Sequence, residues 1–265
     1  MRVRRIATRV LAAALALVAT WQVAVWVSGA PAFILPSPLR VASAWWQHAG
    51  EIVRHLGVTV AEIVLGLGCG LVLGVVSALL VGYFRPARRW LLPVLVASQA
   101  VPVFALAPVL VLWLGYGMAS KVGMATLIIY FPVTVALLDG LRRTEPGWLD
   151  LARTMTARGD GGPRHRDRIA VLRHIQLPAA LPAFASGVRV AASVAPIGAV
   201  VGEWVGSSAG LGYLMLHANG RMQIDLMFAA LATLAAFGVA LWFGVDAALR
   251  RLVPWQADSF DSMED

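Results

Sequence analysis

Residues 141–182 read LRRTEPGWLDLARTMTARGDGGPRHRDRIAVLRHIQLPAALP, a polar, arginine-rich stretch set between apolar runs too long for ordinary soluble helices. Trp148, Leu151, Ala152 and Met155 recur at helical spacing, with Thr144 placed to cap the segment and Pro146 tolerable in a first turn. The spacing predicts a short amphipathic helix. Asp160-Gly161-Gly162-Pro163 breaks it, and Asp167 is placed to cap a second short helix with Ile169, Leu172 and Ile175 on one face. Leu177-Pro178 is expected to end that second helix. Taken alone, the stretch also fits a solvated, positively charged connector.

Composition decides the setting. The chain has 265 residues, 59% hydrophobic and only 14% charged, with a mean hydropathy of +0.76. That balance belongs to an all-α integral membrane protein. A net charge of +8 would suit nucleic-acid binding, but the arginines lie beside apolar spans and not on a soluble basic surface, so no nucleic-acid partner is expected. Cys69 is the single cysteine and sits in an apolar run, which leaves no intrachain disulfide and no cysteine metal site.

About six transmembrane helices are predicted in one transmembrane domain covering residues 1–265, at approximately 10–27, 58–83, 90–116, 121–141, 183–205 and 226–249, with the polar loop at 142–182. Arg2, Arg4, Arg5 and Arg9 precede the first apolar run and imitate a secretory signal. Pro31 beside the only small-residue cleavage pattern argues for a retained span. The stretch up to Leu56, with Trp45 and Trp46, is too polar to cross a bilayer and suits an interface. Gly66, Gly70 and Gly74 are four apart, so one face of the second span admits a close neighbour; a phosphate-cradle reading is weaker, because no Gly-Lys-Ser/Thr follows. Pro93, Pro102 and Pro108 interrupt the third span, which therefore needs neighbours to satisfy its freed carbonyls.

With the N-terminus inside, eighteen of the 22 Lys and Arg residues fall on or near the cytoplasmic side. Arg40, Arg54, Lys121 and Arg221 remain outside. This is the positive-inside asymmetry, and it places the organising loop and both termini in the cytoplasm.

The loop resembles the cytoplasmic "EAA" loop of ABC-importer permeases, the membrane subunits of binding-protein-dependent transport systems. Asp150-Leu151-Ala152-Arg153-Thr154-Met155-Thr156-Ala157 is similar to its first half, and Ile175-Gln176-Leu177-Pro178-Ala179-Ala180-Leu181-Pro182 to its aliphatic-x-Leu-Pro ending. Two departures stand out. Thr156 occupies the usual glycine position, and the loop is longer than the family's by a surplus at Gly159 to Asp167. Trp113-Leu114-Gly115-Tyr116-Gly117 and Gly210-Leu211-Gly212-Tyr213 resemble further family stretches.

The resemblance implies a type I ABC importer permease fold with a cytoplasmic coupling helix, in a bacterial inner membrane. It also implies a separate ATPase that uses ATP and Mg²⁺, a solute-binding protein and a second permease subunit, in a homodimer. ATPase coupling would fall to Asp150, Ala152, Thr156, Ala157, Arg158, Arg168 and Leu172. Leu35-Pro36-Ser37-Pro38, Ser98-Gln99-Ala100-Val101-Pro102 and Gly198 to Trp204 look most like the thiamine-precursor, pyrimidine-type permeases of the nitrate and sulfonate branch. Sulfonate, taurine, nitrate and riboflavin remain open as substrates.

Catalytic constellations are poor. Histidines 48, 55, 165, 174 and 217 are scattered, with no helix pair suited to a metal, and the chain carries no Walker A lysine motif; no catalytic residue, metal site or bound cofactor is expected. Glu62, Asp139, Glu203 and Asp246 fall in or at the ends of spans, where a charge needs a partner, a cavity or an interface. Glu203 with Trp204 and Gln99 are candidates for the translocation path, Glu203 equally a structural brace. Driving transport by an ion gradient through Glu62, Asp139 or Glu203 is the rival reading; the inverted repeats of such carriers are not visible.

Overall fold

The computed structural model describes residues 2–98, 100–156 and 165–255, and among them there are helices and turns but no strand. The helices are α1 Arg2–Ser28, α2 Pro38–Gln47, α3 Ala49–Tyr83, α4 Arg85–Ser98, α5 Ala107–Leu114, α6 Met118–Arg142, α7 Pro146–Thr156, α8 His165–Val171, α9 Leu177–Gly206, α10 Leu211–Gly220 and α11 Ile224–Leu252. Among the described residues four helical stretches are long and apolar enough to cross a membrane: Ala49–Tyr83, Met118–Arg142, Asp167–Gly206 and Ile224–Leu252. The bent pair Arg85–Ser98 and Val103–Leu114 makes a fifth if counted as one span, and the apolar part of α1, Ala12–Ser28, is shorter.

One unit comprises residues 1–60 and 207–237. Within it Trp21 stacks on Phe228 at 5.9 Å, Arg40 pairs with Asp225 at 3.0 Å, and the Trp45 indole N–H donates to Thr233 Oγ1 at 3.0 Å. The start of α10 is held by side chains from α3: Gly210 N–H donates to His55 Nδ1 at 2.9 Å and Leu211 N–H to Thr59 Oγ1 at 2.8 Å. These bonds satisfy amides that a helix start leaves without intrahelical partners.

The other unit comprises residues 61–206 and 238–265. Its core is α3, α6 and α9 packed side by side. Gly70 and Gly74 let α3 approach α6 closely, since a Cβ on Gly70 would sit 2.5 Å from Ile129 Cγ2 and one on Gly74 2.7 Å from Val133 Cγ1. Leu137, Leu138, Leu141, Ala78, Val81 and Ala180 are buried together nearby, with Leu172, Leu177 and Phe184 packed against them. Within this unit Asp246 of α11 pairs with Arg189 of α9 at 2.7 Å, and also with Arg250 at 2.8 Å.

Several sequence expectations need correction. Helix α3 starts at Ala49, inside the stretch read as too polar, because a helix needs only one buried face: Ile52 and His55 are buried while Val53 and Arg54 are exposed. The third apolar run is interrupted, as its prolines lead one to expect: α4 stops at Ser98, a 3₁₀ turn spans Val103–Leu106, and α5 follows. Pro102 and Pro108 lack the amides that a continuous helix would require there.

Candidate functional site

The loop region builds a lever. Thr144 does not cap α7; its hydroxyl donates to Leu141 O at 3.1 Å and so closes the end of α6. Glu145 precedes α7, accepting from Trp148 N–H at 3.1 Å, with Pro146 at the first helical position where its missing amide costs nothing. Asp167 is likewise no cap, since α8 already begins at His165 and the carboxylate lies in its first turn. The surplus at Gly159 to Asp167 is therefore helical at its end.

The largest correction concerns Leu177-Pro178. The chain does not stop there but continues through a π turn, Leu172–Gln176, directly into α9. Leu177 N–H reaches back to Leu172 O, a bond one residue wider than in an α-helix. The widened turn accommodates a proline whose ring would otherwise crowd a carbonyl of the preceding turn. The second short helix, the π turn and α9 thus form one stretch, Asp167–Gly206.

Two faces of the lever differ in chemistry. Trp148, Leu151, Ala152 and Met155 line an open apolar groove with His174, Ile175, Pro178, Ala179 and Trp255. Ala152 is buried, whereas Trp148, Leu151 and Met155 are 51%, 61% and 79% exposed. A second, more polar groove is lined by Tyr83, Leu149, Arg153, Asp167, Arg168, Leu172 and Gln176. Among the predicted coupling residues, Asp150 pairs with Arg153 at 2.7 Å on the exposed surface, Arg168 is exposed and Leu172 reaches the core. Thr156 ends α7; Ala157 and Arg158 lie outside the described residues, as does Gln99.

A second cluster lies toward the far end of α9, roughly 40 Å from Leu177 at 1.5 Å per residue. Glu203 is 1% exposed, beside a Trp204 that is half exposed. Sequence reasoning required a partner, cavity or interface for Glu62 without naming one, and counted Lys121 among the outside charges. The structure joins them: Lys121 Nζ lies 3.0 Å from Glu62 Oε1, with Glu62 fully buried and Lys121 6% exposed. Glu203, equally buried, lies on the neighbouring α9. A Cβ on Gly202 would lie 3.2 Å from Lys121 Cα, so the absent side chain lets α9 bring Glu203 against the start of α6. Charges inside apolar spans signal such pairing, but nothing in their spacing says which helices meet.

The arrangement holds no group of three His, Cys, Asp or Glu residues suited to a metal among the described residues. What it offers is an exposed amphipathic helix, α7, sharing a groove with a long helical stretch, Asp167–Gly206, whose far end carries the buried Glu203. Against known proteins, the model of the family described as binding-protein-dependent transport system inner membrane component matches residues 70–257. The chain belongs to this family. The permease is 54% identical over 233 residues to a probable ABC transporter permease protein of Haemophilus influenzae, covering 88% of this chain and 91% of that one. It is 34% identical to the formylaminopyrimidine transport permease protein ThiX of Halalkalibacterium halodurans, over 91% of this chain and 93% of that one. It is also 39% identical to the riboflavin transport system permease protein RibX of Chloroflexus aurantiacus, over 89% and 86% of the two chains.

The fold agrees. A solved structure of the MetNI methionine ABC transporter in an inward-facing conformation matches with a TM-score of 0.63 at 19% identity, covering 77% of this permease and 97% of that chain. The type I importer permease fold is thereby established. The family match includes the whole lever and Glu203 of the permease, while Glu62 precedes it.

Proposed function

We propose that the permease pairs with a second copy of itself to form the translocation path of an ATP-driven importer, in a bacterial inner membrane with both termini cytoplasmic. The observation that carries this is the exposed apolar face of α7, Trp148, Leu151 and Met155, which shares a groove with His174 and Ile175 of a helical stretch long enough to cross a membrane. A large apolar surface rimmed by charges marks a partner site. The partner is a separate ATPase subunit, which binds ATP and Mg²⁺ and whose closure displaces α7; Asp150, Ala152, Thr156, Ala157, Arg158, Arg168 and Leu172 form or support the contact. Because Asp167–Gly206 is helical throughout, a displacement of α7 passed to it across their shared groove reaches Glu203 and Trp204 as rigid-body motion. Gln99, Glu203 and Trp204 are the residues of this chain assigned to the path or its bracing.

A solute-binding protein delivers the substrate, for which we assign a thiamine-precursor pyrimidine. The likeness to ThiX supports this, and the higher identity to RibX favours riboflavin as the second reading. Both are nitrogen heterocycles containing a pyrimidine ring. Uptake of a labelled aminopyrimidine, with riboflavin as competitor, by cells carrying or lacking the permease tests the assignment. Loss of aminopyrimidine uptake on deletion is expected; uptake unaffected by deletion rejects it, and loss of riboflavin uptake alone selects the second reading. Replacing residues 142–176 by a Gly/Ser linker tests coupling, and unchanged co-purification of the ATPase would reject the lever.

A further inference from the structure

One imidazole holds the start of α10, and it can do so in only one protonation state. His55 lies on α3 and is 6% exposed. Its Nδ1 accepts from the Gly210 N–H at 2.9 Å, a buried bond between residues 155 apart in the chain. A ring nitrogen that accepts carries no proton, so His55 is neutral with its hydrogen on Nε2. One turn along α3, Thr59 Oγ1 accepts from the Leu211 N–H at 2.8 Å. The Tyr213 ring stacks on the imidazole at 5.9 Å, and His217 packs on Tyr213 at 3.9 Å.

Protonation reverses each part of this contact. An imidazolium has two N–H donors and no acceptor, so the Gly210 amide loses its partner inside the protein. The new charge also stands at a helix N-terminus, where the backbone dipole disfavours a cation. Gly210 has φ 116°, a conformation that residues with a side chain rarely adopt, and the bond to His55 fixes its amide there. Of the charged and titratable groups around the imidazole, Glu51 and Arg54 on α3 are of opposite sign, and Glu51 already faces His48 at 3.3 Å. Helix α10 contributes Tyr213 and His217, neither of them a carboxylate that would hold a charged His55 in place.

We propose that His55 is a pH-operated latch: neutral, it clamps the start of α10 to α3, and on taking up a proton from the outer side it lets go. The proton is the only species bound, and no covalent bond of the chain changes. The clamp is closed above the ordinary histidine range, about pH 6.5, and opens as pH falls through and below it. Helix α10 lies in the chain between the membrane-length stretch Asp167–Gly206 and α11, so opening loosens the link between two spans. Only the side from which the proton comes rests on the topology proposed above; the latch itself does not.

Hydrogen–deuterium exchange of the full-length permease in nanodiscs tests this, read on the peptide carrying Gly210 and Leu211 and corrected for the intrinsic pH dependence of exchange. From about pH 8 to about pH 5, wild type is expected to lose about tenfold of its protection at these amides, while peptides of α6 keep theirs. His55→Asn places a carbonyl oxygen, which does not titrate in this range, at the corresponding side-chain position, and its protection should be the same at both pH values. His55→Leu supplies no acceptor and should lack the protection at both. Wild-type protection that does not change with pH overturns the proposal, as does a loss shared equally by α6. An acid-dependent loss of the same size in either variant overturns it too. Should a variant not fold, wild type still decides, because flat protection rejects the latch and selective loss at α10 supports it.

Discussion

Replacing Leu151 and Met155 of α7 together by serine should separate assembly from folding. Both side chains line the apolar groove, and both are mostly exposed, 61% and 79%, so the folded permease gains little from them. Fully burying a Leu or Met side chain is worth about 1.5–3 kcal/mol. If the ATPase covers the exposed portions, each residue contributes about 1–2 kcal/mol to docking, together on the order of 3 kcal/mol. At 1.4 kcal/mol per tenfold, Kd for the ATPase should rise about a hundredfold. The assay is titration of labelled ATPase against the permease in nanodiscs, alongside ATP-driven uptake and a thermal melt. Weakened binding and lost uptake with an unchanged melting temperature are expected. Unchanged affinity would refute the placement of the contact on this face, and a large fall in melting temperature would show that the groove is closed by the permease itself.

Gly70→Val should destabilise the permease by about 1–3 kcal/mol, as overpacking does, because a Cβ there would already sit 2.5 Å from Ile129 Cγ2; thermal melting in detergent checks it. Asp246→Asn should lower the melting temperature by removing the counter-ion of Arg189, which lies 2.7 Å away with a side chain only 25% exposed. Pairing that change with Arg189→Met should recover part of the loss, read as a coupling energy in a double-mutant cycle. Pro178→Ala restores an amide at the start of α9 and lets the π turn relax toward an α-helix. Uptake should fall while ATPase binding is kept, since the lever's register changes but its docking face does not.

The amphipathic character of residues 148–155 was legible because it depends only on side-chain spacing along one short helix. So was the close approach along Gly66, Gly70 and Gly74, where small residues four apart leave a groove that α6 fills. Boundaries were less legible. Hydropathy placed the second span at residue 58, but α3 starts at Ala49, because polar residues on a solvent-facing side do not end a helix. Proline was a sound guide in one place and misled in another. Pro102 and Pro108 fall where the backbone breaks, while Pro178 is carried through a π turn. The difference lies in whether the neighbouring turn can skip a hydrogen bond, which depends on what packs around it: Leu172 and Leu177 are both anchored in the core of α3, α6 and α9.

The charged cluster shows why pairings are the last thing a sequence yields. Glu62, Lys121 and Glu203 lie 59 and 82 residues apart (121 − 62 and 203 − 121) and share no motif. Each alone signals a charge that must be offset somewhere. Lys121 looked like an ordinary outside charge because it stands near the start of its span, and only the contact of Gly202 with the Lys121 backbone turns it inward. The same glycine that brings the helices together therefore decides the electrostatics. Enlarging it should move Lys121 relative to Glu62, so Gly202→Ala is expected to disturb the pair without touching any ionisable group. The melting temperature should fall in that variant, and an unaltered one would mean that the ion pair does not depend on the close approach of α6 and α9.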